Sequence, residues 1–98
     1  MPTATETLIL TLLMRHIDGC YGSELIHLSE GKLKRGSIYS LLSRAERNGF
    51  VRTVEEAATA EYALPRTRYL ITANGRAALT QFAAWTGLVM PRFAGEMP

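Results

Sequence analysis

The sequence predicts a mainly α-helical fold carrying one small β-hairpin. Apolar residues recur at helical spacing in four separate segments, and two short β-prone runs stand between the third and the fourth of them. Length confines all of this to one core. The chain has 98 residues, and chains of roughly 100 to 150 residues usually share a single hydrophobic interior. Apolar residues at 47% and charged ones at 20% are globular proportions, with residues 92–98 reading as a tail.

The first helix is expected over residues 8–17. Leu10, Leu13 and Ile17 recur at i, i+3 and i+7, with Ile9, Leu12 and Met14 on the flanks, and Asp18-Gly19 ends the run. Only Thr11 and Arg15 mark a polar stripe. Such a helix should be covered on more than one side, so Leu10 and Leu13 are candidate contacts with a second chain. A short second helix is expected from Tyr21 or Ser23 to Ser29, turning Leu25, Ile26 and Leu28 inward, with Gly31 as its left-handed terminator. After Lys32-Leu33-Lys34, a third helix spans residues 35–48 with Ile38, Leu41, Leu42 and Ala45 toward the core, and Gly49 closes it.

The β-prone runs cover residues 50–54 and 67–71 and predict a hairpin with a long tip over residues 55–65. Thr72 caps the last helix, in which Ala78, Phe82, Trp85 and Val89 keep helical spacing up to Pro91. About 18 residues, or about 27 Å, is more helix than so small a fold can cover. Its apolar stripe implies a second chain, and two-fold homodimers are the commonest solution. Phe82, Trp85 and Val89 are therefore candidate dimer contacts. Residues 1–72 would form the binding unit and residues 73–98 a dimerisation helix and tail of the same compact body.

Charge is distributed unevenly. Residues 1–31 sum to −3, residues 32–52 to +5, and residues 53–98 balance. A basic segment on a helix inside an otherwise neutral domain suits contact with phosphates, although a solvated face has the same composition. The polar face of the third helix interleaves Arg35, Ser37, Ser40, Ser43, Arg44 and Arg47. Short hydroxyl side chains let a helix approach base edges, and arginine reaches phosphate or guanine. Three helices, the second and third joined by a turn, followed by a two-stranded wing, compose a winged helix-turn-helix.

Several function classes are excluded at this level. No apolar run approaches the roughly 20 residues that cross a bilayer, and the start lacks the basic segment of a signal peptide, so a cytoplasmic protein without membrane contact is expected. The lone Cys20 has no intramolecular disulfide partner, and one Cys with two His residues is no zinc set. No nucleophile motif, phosphate-binding glycine loop or pair of acids stands at working spacing, so neither catalysis nor a cofactor is expected.

Four motifs stand in register across residues 8–79. Tyr21-Gly22-Ser23-Glu24-Leu25 opens the second helix, Gly36-Ser37-Ile38-Tyr39-Ser40-Leu41-Leu42 lies in the third, Asn48-Gly49-Phe50-Val51 enters the hairpin, and Arg68-Tyr69-Leu70-Ile71-Thr72-Ala73-Asn74-Gly75 leaves it. In these pieces and their order the sequence resembles the PadR-type transcriptional regulators. The resemblance implies a homodimeric, repressor-like protein on a palindromic double-stranded DNA operator, with Ser37 and Ser40 at base edges and Tyr39 at a phosphate. It also implies a wing served by Arg66 or Arg68. Arg44 and Arg47, a turn or more further along, would flank the groove.

Three departures from the pattern bear on this. Lys34 replaces a capping Ser or Thr two residues before Gly36, a loss of roughly 1 kcal/mol where such a cap operates, but a lysine there could meet a phosphate. The tip lacks glycine and carries Glu55, Glu56 and Glu61, which would repel DNA if turned toward it. The C-terminal part is short, as in members that dimerise through one terminal helix.

Other readings stay open. Tyr39 could pack between helices, and Arg66 and Arg68 could pair with Glu55 and Glu56 across the hairpin. Trp85 suits interface packing or, as in some small relatives that hold flat drugs between aromatics, a small-molecule effector site. Cys20, His16 and His27 read more simply as structural or surface residues. A protein-binding winged-helix adaptor is the alternative to a DNA-binding regulator.

Overall fold

The computed structural model describes the backbone of residues 3–86 and the side chains of residues 3–81. Its elements are α1 (Ala4–Arg15), β1 (Cys20–Tyr21), α2 (Gly22–Leu28), α3 (Arg35–Arg47), β2 (Val51–Glu56), β3 (Arg66–Ile71) and α4 (Ala73–Thr86). Mainly α with a small antiparallel sheet, this is the winged arrangement that the sequence predicts.

The first helix starts four residues earlier than its apolar spacing suggests, because Thr3 and Glu6 cap it reciprocally. Thr3 Oγ1 accepts from the Glu6 N–H at 3.1 Å, and Glu6 Oε1 accepts from the Thr3 N–H at 3.0 Å. It ends at Arg15, so Ile17, expected on the core face, lies past the helix and is 74% exposed. The expectation that Leu10 and Leu13 face a second chain also needs correcting. Both are at most 1% exposed within the chain's own core, which leaves them no surface for a partner.

Glu24 reaches back to the Tyr21 N–H at 2.8 Å and caps α2. The turn to α3 is held by Ser29, whose Oγ donates to the Ile26 carbonyl and accepts from the Leu33 N–H. Left-handed backbone begins at Glu30 (φ 55) and continues through Gly31 (φ 88), the terminator expected at that place. Leu33, read as part of a connection, is buried in the core beside Leu25, Ile38 and Leu42. Lys34 makes no side-chain cap to α3, in line with the missing hydroxyl.

The sheet has the order β1-β3-β2 with both pairings antiparallel. Strand β1 was not expected, since two residues are too few to show an alternation. The register puts Cys20, Tyr69 and Thr53 in one row and Tyr21, Arg68 and Val54 in the next. Opposite residues share a face and successive ones alternate. One face therefore carries Val51, Ile71 and Cys20 into the core, and the other carries Tyr21, Val54, Glu56, Arg66 and Arg68.

Thr72 locks α4 to the sheet: its Oγ1 accepts from the Gly75 N–H at 2.9 Å and donates to the Gly49 carbonyl at 2.6 Å. Gly75 packs directly on the Phe50 carbonyl, with room for no Cβ. Leu79 extends the core, and α4 packs on α1. Phe82 and Trp85 fall within α4, but their side chains, and the whole of Val89 and the expected run to Pro91, lie outside the described residues. No helix among the described residues is long and apolar enough to cross a membrane.

Candidate nucleic-acid interface

The third helix is amphipathic in the sense the sequence predicts. Ile38, Leu42 and Ala45 are buried, while Lys34, Arg35, Ser37, Ser40, Ser43, Arg44 and Arg47 are all exposed. Ser37 and Ser40 lie in the first half of the helix, and Ser43, Arg44 and Arg47 of its second half follow on the same solvent side. Ser37 Oγ has only a long contact of 3.5 Å to the Lys34 carbonyl, so its hydrogen-bonding capacity is largely unspent. Four cations and three exposed serines on this helix and its N-cap can meet phosphates and base edges without rearrangement of the core.

Tyr39 sits between the two roles considered for it. Its ring lies against Gly22, where a Cβ would come within 2.7 Å of the ring, and yet the residue is 45% exposed. A Tyr-Gly step at the start of α2 thus makes room for the tyrosine of α3. An open cleft of about 390 Å³ runs from Tyr39 and Ser23 to Arg66, Thr67 and Tyr69 on β3. Burial, with smaller contributions from Tyr39, Glu46 and Glu55, pushes the Tyr69 phenol above its ordinary range, so it stays a neutral donor there.

Of the two readings open for the wing arginines, the structure shows the pairing across the hairpin in part. Arg66 and Arg68 are both engaged inside the protein. Glu56 forms an ion pair with Arg68 and lies 3.9 Å from Arg66. Tyr21 OH donates to Glu56 and accepts from Arg66 at 2.9 Å and from Arg68 at 3.1 Å. The Arg66 guanidinium is also stacked between the rings of Tyr21 and Tyr62, at 3.9 and 3.7 Å from their centroids. Arg68 further donates to the Asp18 carbonyl at 3.2 Å. The cross-hairpin pairing therefore operates through Glu56, whereas Glu55, on the other face, accepts from Thr67. The Tyr21 hydrogen bond, reinforced by the two arginines, holds the Glu56 carboxyl below its usual range. Tyr21 is the residue that sequence reasoning missed as a hub. The available signal was its place in the Tyr-Gly pair, but only strand pairing brings it beside Glu56.

Cys20 is buried, and burial, with the nearby Glu24, raises its thiol to about 11, so it is a protonated core residue at neutral pH. It shares a cavity wall with His16 and His27, but among the described residues no three potential ligands converge to hold a metal.

The arrangement has known counterparts. A PadR-like transcription factor from Bacteroides fragilis is 26% identical, with a TM-score of 0.70 over 92% of this chain and 87% of that one. A PadR family transcription regulator from Clostridium difficile R20291 (24% identity, TM-score 0.67, 91% and 96% covered) and a PadR-like transcriptional regulator from Bacillus cereus (24%, 0.65, 95% and 90%) share the fold. No curated protein matches the chain by sequence. The model of the transcriptional regulator PadR-like family matches residues 9–81, from the core of α1 through α3 and the hairpin into α4, and the chain belongs to that family.

Proposed function

We infer that the protein is a homodimeric, cytoplasmic repressor that binds a palindromic operator in double-stranded DNA. One observation carries the reading: α3 presents Arg35, Ser37, Ser40, Arg44 and Arg47 together to solvent while its other face is fully committed to the core. Ser37 and Ser40 serve as the base readers, Tyr39 and Lys34 as phosphate contacts at the helix entrance, and Arg44 and Arg47 as clamps on the groove's flanks. Two copies joined through α4, with Phe82, Trp85 and Val89 at the joint, present two such helices to a two-fold symmetric site. Trp85 at that joint is also where a flat effector molecule would act.

The test is binding to duplex DNA upstream of the protein's own coding region as a function of salt. Arg44→Ala or Arg47→Ala should weaken binding to every duplex and reduce the slope of log K against log salt by about 1 each. Ser37→Ala or Ser40→Ala should change which sequences are preferred. Identical effects of both sets on all duplexes would refute this division of labour. A protein-binding adaptor docking through apolar surface would show little salt dependence at all. Sedimentation checks the dimer: Phe82→Glu or Trp85→Glu should yield a monomer, and an intact dimer would place the interface elsewhere.

A further inference from the structure

Residues 51–71, the wing, carry Arg52, Arg66 and Arg68 against Glu55, Glu56 and Glu61, and so have no net charge, in contrast to the segment before them. The neutrality has a specific geometry. Arg66 and Arg68 are two apart on β3, which puts both guanidinium groups on the outer face of the sheet, where two like charges repel. They are held together by two groups that belong to other strands, the Tyr21 hydroxyl from β1 and the Glu56 carboxylate from β2. A tyrosine hydroxyl has one proton and two lone pairs, and this one uses all three, giving its proton to Glu56 and accepting from both arginines.

The two cations are not equally bound. Arg68 has the Asp18 carbonyl in addition to Tyr21 and the close Glu56 pair. Arg66 has one hydrogen bond to Tyr21, its two aromatic neighbours, and Glu56 at 3.9 Å. Both side chains are about one-third exposed, so the cluster sits at the surface rather than in the core. A carboxylate in close ion pair with Arg68 and 3.9 Å from Arg66 presents to these cations the same kind of anionic oxygens as a backbone phosphate.

We propose that Glu56 is a built-in phosphate mimic that occupies the wing arginines and thereby sets how much the wing adds to DNA binding, with Arg66 the cation that is freed when the carboxylate's charge is removed. The proposal rests on the DNA-binding reading above and concerns a residue that reading does not use. With Glu56 in place, the wing contributes little to phosphate affinity, and binding depends on α3. Without its charge, Arg66 and Arg68 repel, Arg68 stays on Asp18 and Tyr21, and Arg66 swings out to a phosphate.

A double-mutant cycle on the full chain tests this, read as affinity for one duplex between 50 and 200 mM salt, with wild type, Glu56→Gln, Arg66→Ala and the double variant. Glutamine keeps an acceptor for Tyr21, and thermal melting verifies that each variant is folded. Glu56→Gln should bind more tightly, on the order of tenfold at 0.1 M salt, with the salt slope steeper by about 0.9 for each phosphate gained. Arg66→Ala should change affinity less than about twofold in the wild type and abolish the gain in the Glu56→Gln background. Equal effects of Arg66→Ala in both backgrounds would mean that Glu56 acts only through net charge, and would overturn the proposal. So would weaker binding by Glu56→Gln, which would make the carboxylate a support that aims the arginines at DNA. Salt-dependent binding by wild type with an unchanged slope in Glu56→Gln overturns the mimic alone, whereas failure of wild type to bind any duplex removes both readings.

Discussion

Replacing Gly75 with alanine separates what helix propensity says from what this packing says. The residue lies in the first turn of α4, where exchanging glycine for alanine ordinarily stabilises a helix by up to about 1 kcal/mol. The neighbourhood reverses the sign. A Cβ at this position would run into the Phe50 carbonyl oxygen and lie 2.8 Å from Ile71 Cγ1 and 3.0 Å from the Phe50 carbonyl carbon. None of these yields cheaply, since the same carbonyl oxygen accepts from the Thr72 N–H at 3.0 Å and Ile71 is buried. Overpacking of this kind costs about 1–3 kcal/mol, which exceeds the propensity gain and leaves a net loss of about 1–2 kcal/mol. In a domain of this size that lowers Tm by roughly 5–15 °C. Gly36→Ala is the matched control, because it is also helical and a Cβ there meets nothing within 4 Å. It should raise Tm slightly, by about 0.5 kcal/mol of stability. Far-UV circular dichroism melts of the two variants beside wild type make the comparison. A Gly75→Ala protein that melts at or above wild type would refute the close seat of α4 on Phe50, and with it the angle at which that helix leaves the sheet.

Gly22→Ala should act on function more than on stability. The Cβ would press on the Tyr39 ring at 2.7 Å, but a half-exposed ring can swing aside, so the melt should change little while duplex affinity falls as far as in Tyr39→Ala; wild-type affinity would refute the link. Acid denaturation reports on the wing. Because the Glu56 carboxyl titrates below its unfolded value, its stabilisation is complete above roughly pH 4.3 and is lost as pH falls through the lower folded value. Glu56→Gln should therefore flatten the acid limb of stability, and unchanged pH dependence in a denaturant titration series would contradict the ion-pair cluster.

Much of the site could be read in the chain because helical periodicity separates faces reliably. Ile38, Leu42 and Ala45 at i, i+4 and i+7 turn inward, and that alone forces Ser37, Ser40, Arg44 and Arg47 outward. The Thr72 cap was legible for the same local reason, a hydroxyl three residues before the N–H it accepts from. Errors gathered where the sequence signal is local and the cause is not. Leu10 and Leu13 read as surplus apolar residues until the sheet and α4 are packed on α1. Ile17 continued the heptad-like spacing, but His16 had already ended the helix. For Arg66 and Arg68 the pairing across the hairpin was one of two open readings, but nothing in sequence distance places Tyr21 beside them.

The amino-acid order by itself determined the number and type of the main elements and the cationic, hydroxyl-rich face of α3, because these depend on repeats of two or 3.6 residues that neighbours along the chain settle between themselves. Tertiary structure alone decided which of those charges remain available. Pairing β1 and β2 on either side of β3 brings Tyr21 onto Glu56 and the two wing arginines across separations of 35 to 47 residues. An ion pair's strength depends on distance in space, which no local pattern encodes.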